Sequence, residues 1–211
     1  MRHPNDPRPR TVVLLQYTGI GGLIWHIHYF KMIAEQSHGG RVTVVAQPST
    51  LTKAFIGNQP WVESVIDHDH RPRRDEKRKG KHAGLSGMWR MAKQLKAGQF
   101  DRIILFSGRI SRGLVAGLSG IPIRMGFGYR LLQRIFLNTP PYITAYKGDA
   151  LAVYPEASAF MVAHGFCQAP VVPRIDVPSD MIGLMTRRLA ELPRPLYAFA
   201  IGTSELHKQW G

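Results

Sequence analysis

The residues with the clearest potential for chemistry stand in a glycine-rich turn near the start of the chain. Residues 11–16, TVVLLQ, are apolar and β-branched, which is typical of a buried strand, and residues 23–36 return apolar side chains at helical spacing. Gly19, Gly21 and Gly22 lie between these two segments. A strand–turn–helix junction presents backbone N–H groups and the positive end of a helix dipole at the rim of a sheet. We therefore predict that these glycines border a ligand- or cofactor-binding cleft.

The spacing of the glycines excludes one nucleotide-binding motif and weakens another. Ile24 stands where a dinucleotide fingerprint has its third glycine, and no acidic residue follows the second strand pattern. No Lys-Ser or Lys-Thr pair follows the glycines, which excludes a nucleoside-triphosphate P-loop. The same glycines also fit a tight strand-to-helix turn that binds nothing. Spacing alone leaves both interpretations open.

Length, charge and cysteine usage narrow the class of protein. With 211 residues, 44% of them hydrophobic, the chain can bury a full core and is long for one ordinary domain. A formal net charge of +14 favours an anionic partner such as nucleic acid, phospholipid or sugar phosphate. Cys167 is the single cysteine, which excludes an internal disulfide and indicates a reducing, cytoplasmic compartment. No apolar run is long enough to span a bilayer, so any membrane contact is predicted to be peripheral.

Strand and helix patterns alternate along most of the chain. Such alternation is typical of a parallel sheet with right-handed crossovers, because each helix returns the chain to the same edge. After the first strand, the predicted strands lie at residues 41–46, 62–66, 101–106 and 121–124, and the main helices at residues 84–98, 111–119 and 149–165. The predicted fold class is therefore α/β, with a Rossmann-like parallel sheet and flanking helices.

A basic segment interrupts this alternation directly after the third predicted strand. Residues 67–82 begin Asp-His-Asp-His and continue with a run of arginines and lysines. Loops at the carboxyl ends of parallel strands border the ligand crevice, so this segment is placed to reach over a bound anion. A charge run is equally compatible with a solvated loop that binds nothing. The Asp-His-Asp-His stretch has no spaced partner that would complete a metal site, so no metal is predicted.

The last part of the chain predicts a boundary between domains. Three prolines lie within residues 169–178, a composition typical of a linker, and a helical pattern follows. Residues 196–201 then form another apolar strand pattern, which runs into a second turn. A lone strand cannot bury its own apolar face. We therefore divide the chain into a Rossmann-like domain, a linker with its helix, and the start of a truncated second domain, at residues 1–168, 169–195 and 196–211.

Four of these segments form a recognisable ordered set. They are the GIGG turn at residues 19–22, the strand FDRIIL at 100–105, the RMGF turn at 124–127 and the terminal GTSELHKQW at 202–210. This set resembles glycosyltransferase family 9, the heptosyltransferases of lipopolysaccharide assembly. The resemblance implies the N-terminal, acceptor-binding half of a GT-B enzyme plus the opening of the donor-binding half. It also implies transfer of a heptose-like sugar from a nucleotide-diphosphate donor to a lipid-linked acceptor, with inversion and without an essential metal or other cofactor.

The resemblance assigns the donor-phosphate site to the end of the chain. Thr203, Ser204 and Lys208 match the family's terminal motif, where hydroxyls, turn amides and one ammonium converge on oxyanions. Lys208 would also stabilise negative charge on the departing diphosphate, so it is predicted to be catalytic. The alternative is that the two hydroxyls cap a helix and that Lys208 is solvated.

The resemblance also implies a catalytic base in the glycine turn, and the expected carboxylate is missing there. The family commonly carries an aspartate where this chain has Gly22. His26 and His28 follow within about one helical turn, and an imidazole can accept a proton near neutral pH. Two residues apart on a helix, they point in different directions, so both cannot face the cleft. We predict His26 as the base, with a packing or surface role for each histidine as the alternative.

The implied acceptor carries acidic sugars and phosphates, which gives the basic loop a function. Electrostatic capture of such an acceptor at the cytoplasmic face of a bacterial inner membrane needs cationic side chains around the crevice. The predicted acceptor-binding residues are Arg71, Arg73, Arg74, Lys77, Arg78, Arg124 and Arg130.

Two competing hypotheses stay open. One is a non-catalytic basic module that binds phosphates of nucleic acid or lipid, although the sequence contains no recognisable DNA- or RNA-binding motif. The other is a degenerate relative that no longer catalyses transfer, which the glycine at position 22 favours. Under the transferase hypothesis, an isolated chain of this length is expected to show little or no activity, because donor contacts in the family come largely from the second half.

Overall fold

The chain divides into two compact units. They comprise Met1–Arg174 and Ile175–Gly211. The computed structural model describes residues 5–16, 19–72, 76–149, 153–174, 177 and 179–197.

A five-stranded parallel sheet forms the centre of the first unit. Its strands are β1 (Thr11–Leu15), β2 (Val42–Ala46), β3 (Val62–Asp67), β4 (Arg102–Phe106) and β5 (Ile123–Gly126). The strand order is β3-β2-β1-β4-β5, and every neighbouring pair is parallel. This arrangement confirms the predicted α/β class. The order reverses between β1 and β4, and a crevice opens at the carboxyl ends of strands at such a point.

Helices cover both faces of the sheet. The helices of the first unit are α1 (Ile20–Ile24), α2 (Ile27–Glu35), α3 (Thr52–Ile56), α4 (Gly84–Ala97), α5 (Ile110–Ser119), α6 (Leu131–Arg134) and α7 (Val153–Ala163). One core cluster packs α2 and α7 on one face, through Phe30 and Phe160. The other cluster packs α4 and α5 on the opposite face, through Leu95 and Val115. Because both faces are buried, the central strands β1, β2 and β4 consist mostly of apolar residues.

The helix predicted at residues 23–36 is in fact two helices. Helix α1 begins at Ile20, inside the glycine segment, and α2 begins at Ile27. Between them, the backbone N–H of His26 donates to Leu23 O at 2.9 Å. The His26 ring nitrogen Nδ1 also lies 2.6 Å from Gly22 O. These local bonds satisfy backbone groups at the break, which explains why the chain can interrupt the helix there.

Other boundaries differ from the prediction by a few residues. Strand β5 begins at Ile123 rather than at residue 121, since Gly120 ends α5 in the left-handed region and Pro122 cannot donate to a strand ladder. Helix α7 begins at Val153 within the segment predicted at 149–165. Residues 198–211, which hold most of the last predicted strand, lie outside the described residues.

The described part of the second unit contains one helix, α8 (Ser179–Ala190), where a helical pattern was predicted. Its apolar side chains are exposed, among them Met181 and Ile182. Within the described part of the chain, no helix combines the length and the apolar character that crossing a bilayer requires.

Candidate functional site

The crevice lies where the ends of β1 and β4 meet. The Ser107 hydroxyl donates a hydrogen bond to the Gln16 side-chain oxygen, which ties the two strand ends together. The Ser107 oxygen in turn accepts from the Arg109 backbone N–H at 3.1 Å. Gly108 is in close contact with the Tyr129 ring, and a side chain at position 108 would overlap that ring. These contacts connect the ends of β1 and β4 with the start of α5 and with Tyr129.

The glycine turn leaves open space at the start of α1. Gly19 has extended backbone and caps α1 without a side-chain hydrogen bond. A Cβ atom added at Gly19 or at Gly21 would meet no heavy atom within 4 Å. Internal packing therefore does not require glycine at these two positions. An open surface beside helix N–H groups is compatible with close approach of a ligand.

An aromatic pocket borders this turn, and the sequence had not indicated it. It has a volume of about 450 Å³ and is lined by Gly21, Ile24, Trp25, Tyr154, Val172 and Pro173. The rings of Trp25 and Tyr154 lie 5.3 Å apart between centroids, and the Trp25 side chain is partly exposed. Pockets lined by aromatic and apolar side chains, with polar backbone groups at the rim, are typical ligand sites. No local sequence pattern indicates this pocket, because Tyr154 belongs to a helix far along the chain from Trp25.

His26 does not line this pocket. Its ring is fully buried, 4.8 Å from the Phe106 ring and 5.9 Å from the Phe30 ring between centroids. Burial lowers the pKa of His26 to about 4, although the bond to Gly22 O opposes that shift. The imidazole packs against the Phe30 and Phe106 rings and is not among the residues that line the pocket. The geometry therefore favours the packing role of His26 over the predicted role as base.

We expect the burial of His26 to make the fold sensitive to acid. The unfolded imidazole titrates near 6.5 and the folded one at about 4, so the unfolded state binds the proton first as the pH falls. The stabilisation is present above pH 6.5 and is lost between pH 6.5 and 4, by about 3 kcal/mol. Urea unfolding across this pH range should show a smaller loss of the free energy of unfolding in His26→Gln than in the wild type. His28→Gln, also on this helical segment, is the matched control, and equal pH profiles for the two variants would contradict the assignment.

The basic loop is only partly available for binding. Arg78 donates to Asp69 Oδ2 at 2.5 Å and to Glu76 Oε2 at 2.7 Å, so its charge is neutralised within the loop. Arg71 and Lys77 are exposed. Arg73 and Arg74 lie outside the described residues. Among the described residues, Arg71 and Lys77 form no such ion pair. They are therefore the described cations of this loop that are available to an acceptor.

Arg130 and Arg124 lie at different edges of the sheet. Arg130 is exposed just beyond the carboxyl end of β5, at the same edge as the crevice. Arg124 pairs with Ile103 near the amino ends of β5 and β4. Its guanidinium donates to Phe136 O and Ile121 O, both at 2.8 Å. The structure therefore corrects the grouping of Arg124 with the crevice residues, since this arginine fastens the segment around β5.

The predicted donor-phosphate residues cannot be placed relative to this crevice. Thr203, Ser204 and Lys208 lie outside the described residues. Their roles remain predictions from the resemblance.

The strands and helices together define a Rossmann-like α/β domain whose strand order reverses between β1 and β4. A model of glycosyltransferase family 9 (heptosyltransferase) matches residues 88–211, more than half of the 211-residue chain. The chain therefore belongs to glycosyltransferase family 9. A comparison with curated protein sequences finds no match.

Solved structures share this fold at low sequence identity. The family 9 glycosyltransferase from Veillonella parvula DSM 2008 matches with a TM-score of 0.66 and 16% identity, over 96% of this chain and 56% of that one. The E. coli ADP-heptose lps heptosyltransferase II matches with a TM-score of 0.55 and 14% identity, over 88% of this chain and 51% of that one. The E. coli heptosyltransferase WaaC with ADP matches with a TM-score of 0.50 and 19% identity, over 78% of this chain and 50% of that one. This chain spans about half the length of these proteins.

Proposed function

We propose that this chain forms the acceptor-binding half of a glycosyltransferase that moves a heptose-like sugar from a nucleotide-diphosphate donor to an anionic, lipid-linked acceptor such as lipopolysaccharide core. Family membership supports glycosyl transfer as the class of reaction. An E. coli heptosyltransferase of the same fold is described as using ADP-heptose, which supports a nucleotide sugar as donor. The glycine turn, Thr203, Ser204 and Lys208 are the proposed contacts of the donor diphosphate.

The observation that carries the acceptor role is the aromatic pocket beside the glycine turn. A sugar ring has apolar C–H faces and polar edges, which suits a pocket whose walls are Trp25 and Tyr154 and whose rim is backbone. A sugar held on Trp25 would lie next to the backbone of Gly21, which also lines the pocket. Exposed cations at the same edge of the sheet, Arg71 and Arg130, would attract the acidic groups of the acceptor.

A membrane-facing surface is part of this proposal. Leu131, Leu132 and Ile135 are 75%, 58% and 70% exposed, directly beside Arg130. Exposed apolar side chains flanked by arginines fit the interface of an anionic membrane, where the apolar groups insert and the cations contact headgroups. This placement supports action at the inner face of a bacterial inner membrane on an acceptor embedded there.

The proposal is tested by sedimentation with vesicles that contain heptose-deficient lipopolysaccharide. We expect the wild-type chain to bind these vesicles and Trp25→Ala to bind about tenfold more weakly, because an aromatic anchor contributes about 1–2 kcal/mol. Trp89→Ala is the matched control, since Trp89 is an exposed tryptophan on α4 outside the pocket. Equal binding by the two variants would refute the role of the pocket. Tighter, steeply salt-dependent binding to duplex DNA would instead favour the basic binding module.

A degenerate transferase is the second candidate, and a specific observation favours it. The glycine turn has no carboxylate at position 22, and the nearby His26 is buried. General base catalysis needs a proton acceptor within hydrogen-bond reach of the acceptor hydroxyl. Rapid release of nucleoside diphosphate by the wild-type sequence, once a donor-binding half is supplied, would contradict this candidate.

A further inference from the structure

A buried arginine in the first turn of α5 has no anionic partner among the described residues. Arg112 is 4% exposed, and its Nη1 lies 3.1 Å from His68 Nε2 on the loop after β3. Its Nε is buried and has no hydrogen-bond partner among the described residues. A buried guanidinium with an unsatisfied donor costs free energy unless an acceptor is provided. An acceptor from a bound ligand would satisfy the Arg112 Nε donor.

A second buried arginine shows how this fold satisfies a structural guanidinium. Arg102, at the amino end of β4, is 9% exposed. It donates to Thr11 Oγ1 at 3.0 Å, Gln36 O at 2.9 Å and Ser37 Oγ at 3.1 Å. All of these acceptors belong to the chain itself, so Arg102 needs no ligand. Arg112 differs because the group facing its Nη1 is an imidazole.

The surroundings of Arg112 are positive rather than neutralising. Burial and the neighbouring Arg109 lower the pKa of Arg112 to about 10, so it remains charged at neutral pH. Asp69 is the buried carboxylate of the adjacent loop, and it is bound by Arg78 at 2.5 Å and by the Lys81 N–H at 3.2 Å. Asp69 Oδ2 is thus bound within the loop, while Asp69 Oδ1 is buried without a hydrogen-bond partner among the described residues. The cluster keeps a net positive charge that an anion would neutralise.

The histidines beside Arg112 have defined roles. Because a guanidinium can only donate, His68 Nε2 must accept, and the His68 ring is neutral. The His70 ring lies 4.7 Å from the His68 ring between centroids and is partly exposed, which gives the cluster an opening to solvent. His70 Nδ1 lies 3.3 Å from His68 O, an acceptor, so Nδ1 carries the proton in the neutral ring. His70 Nε2 can then donate to a ligand once it is protonated.

We propose that Arg112 and His70 form a binding site for a single oxyanion, a phosphate monoester, between the loop after β3 and the start of α5. The guanidinium supplies the unpartnered Nε donor, and in the acid range, where His70 is protonated, His70 Nε2 supplies a second donor from the open side. This site needs neither a sugar donor nor the glycine turn, so it stands independently of the proposed transfer reaction. Binding couples to protonation of His70, because the anion stabilises its charged form.

The charges that act on this site come from several elements. Among the described residues, they are Arg109 and Arg112 on α5 and its cap, Arg90 on α4, and His68, Asp69, His70, Arg71, Lys81 and His82 on the loop. Burial is the main cause that lowers the pKa of His70 to about 4, and Arg112 is the next. A bound phosphate opposes the second cause, so the pKa of His70 must rise on binding.

The test follows the histidine rings of the full chain by ¹⁵N NMR as inorganic phosphate is added, against sodium chloride at equal ionic strength. In the wild-type protein we expect phosphate to raise the pKa of His70 by about 1. No difference between phosphate and chloride would overturn the proposal. Sodium acetate is the arm for a carboxylate ligand, and an equal response to acetate would overturn the assignment to a phosphate monoester.

Variants then separate a specific site from general attraction by a basic protein. Arg112→Met should weaken phosphate binding at least about tenfold, since it removes a charge-assisted hydrogen bond. Lys93→Met removes one exposed charge from α4 and should bind as the wild type does. If Arg112→Met fails to fold, Arg112→Lys keeps the charge and should still bind measurably more weakly, because lysine lacks the Nε donor geometry. Wild-type affinity in the folded Arg112 variant would overturn the proposal.

Discussion

Replacing Phe106 by alanine is expected to remove about 3–5 kcal/mol from the free energy of unfolding. Phe106 is fully buried at the end of β4, and its ring centroid lies within 4.8–6.1 Å of those of His26, Phe30, Phe127 and Phe160. These rings come from α2 with its N-cap, from the residue after β5 and from α7, so the cavity cannot close by moving one element. Such a loss is a large part of the about 5–15 kcal/mol that stabilises a typical domain.

Equilibrium unfolding in urea, followed by circular dichroism, measures this effect. Phe55→Ala is the matched control, because the same atoms are removed from a side chain on α3 that is 38% exposed. We expect that control to lose less than about 1 kcal/mol. If the two variants lose similar stability, Phe106 is not the centre of the core that joins α2 and α7 to the sheet.

The centre of the sheet was predictable from the sequence because its central strands are buried on both faces. β1, β2 and β4 each carry five consecutive buried residues, and such runs of apolar and β-branched side chains stand out in the sequence. The helical pattern of α4 was equally clear, and its observed bounds match the prediction within one residue. The pattern of apolar residues therefore sufficed to predict these strands and α4, because the burial of their side chains follows from the geometry of a single strand or helix.

The site was less predictable because tertiary contacts decide it. His26 has the residue type of a base, yet rings from α2 and β4 enclose it. Arg124 and Arg130 are close in the sequence and carry the same charge. The pairing of β5 with β4, however, places Arg124 near the amino end of β5, whereas Arg130 follows the carboxyl end. Tyr154 forms a wall of the pocket from a helix that no local pattern connects with Trp25. Residue type alone cannot distinguish such positions, since spacing in the chain does not report distance in the fold.

Restoring a carboxylate at position 22 is expected to raise sugar transfer about 100-fold or more. General base catalysis contributes about 10²–10⁴ in rate, and the family commonly has aspartate where this chain has Gly22. Position 22 lies in the first turn of α1, where a negative charge is favourable next to the helix dipole. The Gly22→Asp variant should therefore fold.

Release of nucleoside diphosphate from a nucleotide-diphosphate heptose measures this prediction, with heptose-deficient lipopolysaccharide as the acceptor. The matched structures are about twice as long as this chain, so the assay uses this chain joined to the donor-binding half of a family 9 enzyme. Gly22→Asn is the control, because its side chain has nearly the same shape without a basic carboxylate. A gain in Gly22→Asp alone identifies the missing base as the cause of weak catalysis. Equal rates in the wild type and both variants would show that proton transfer uses another group, and the glycine turn would then serve binding rather than chemistry.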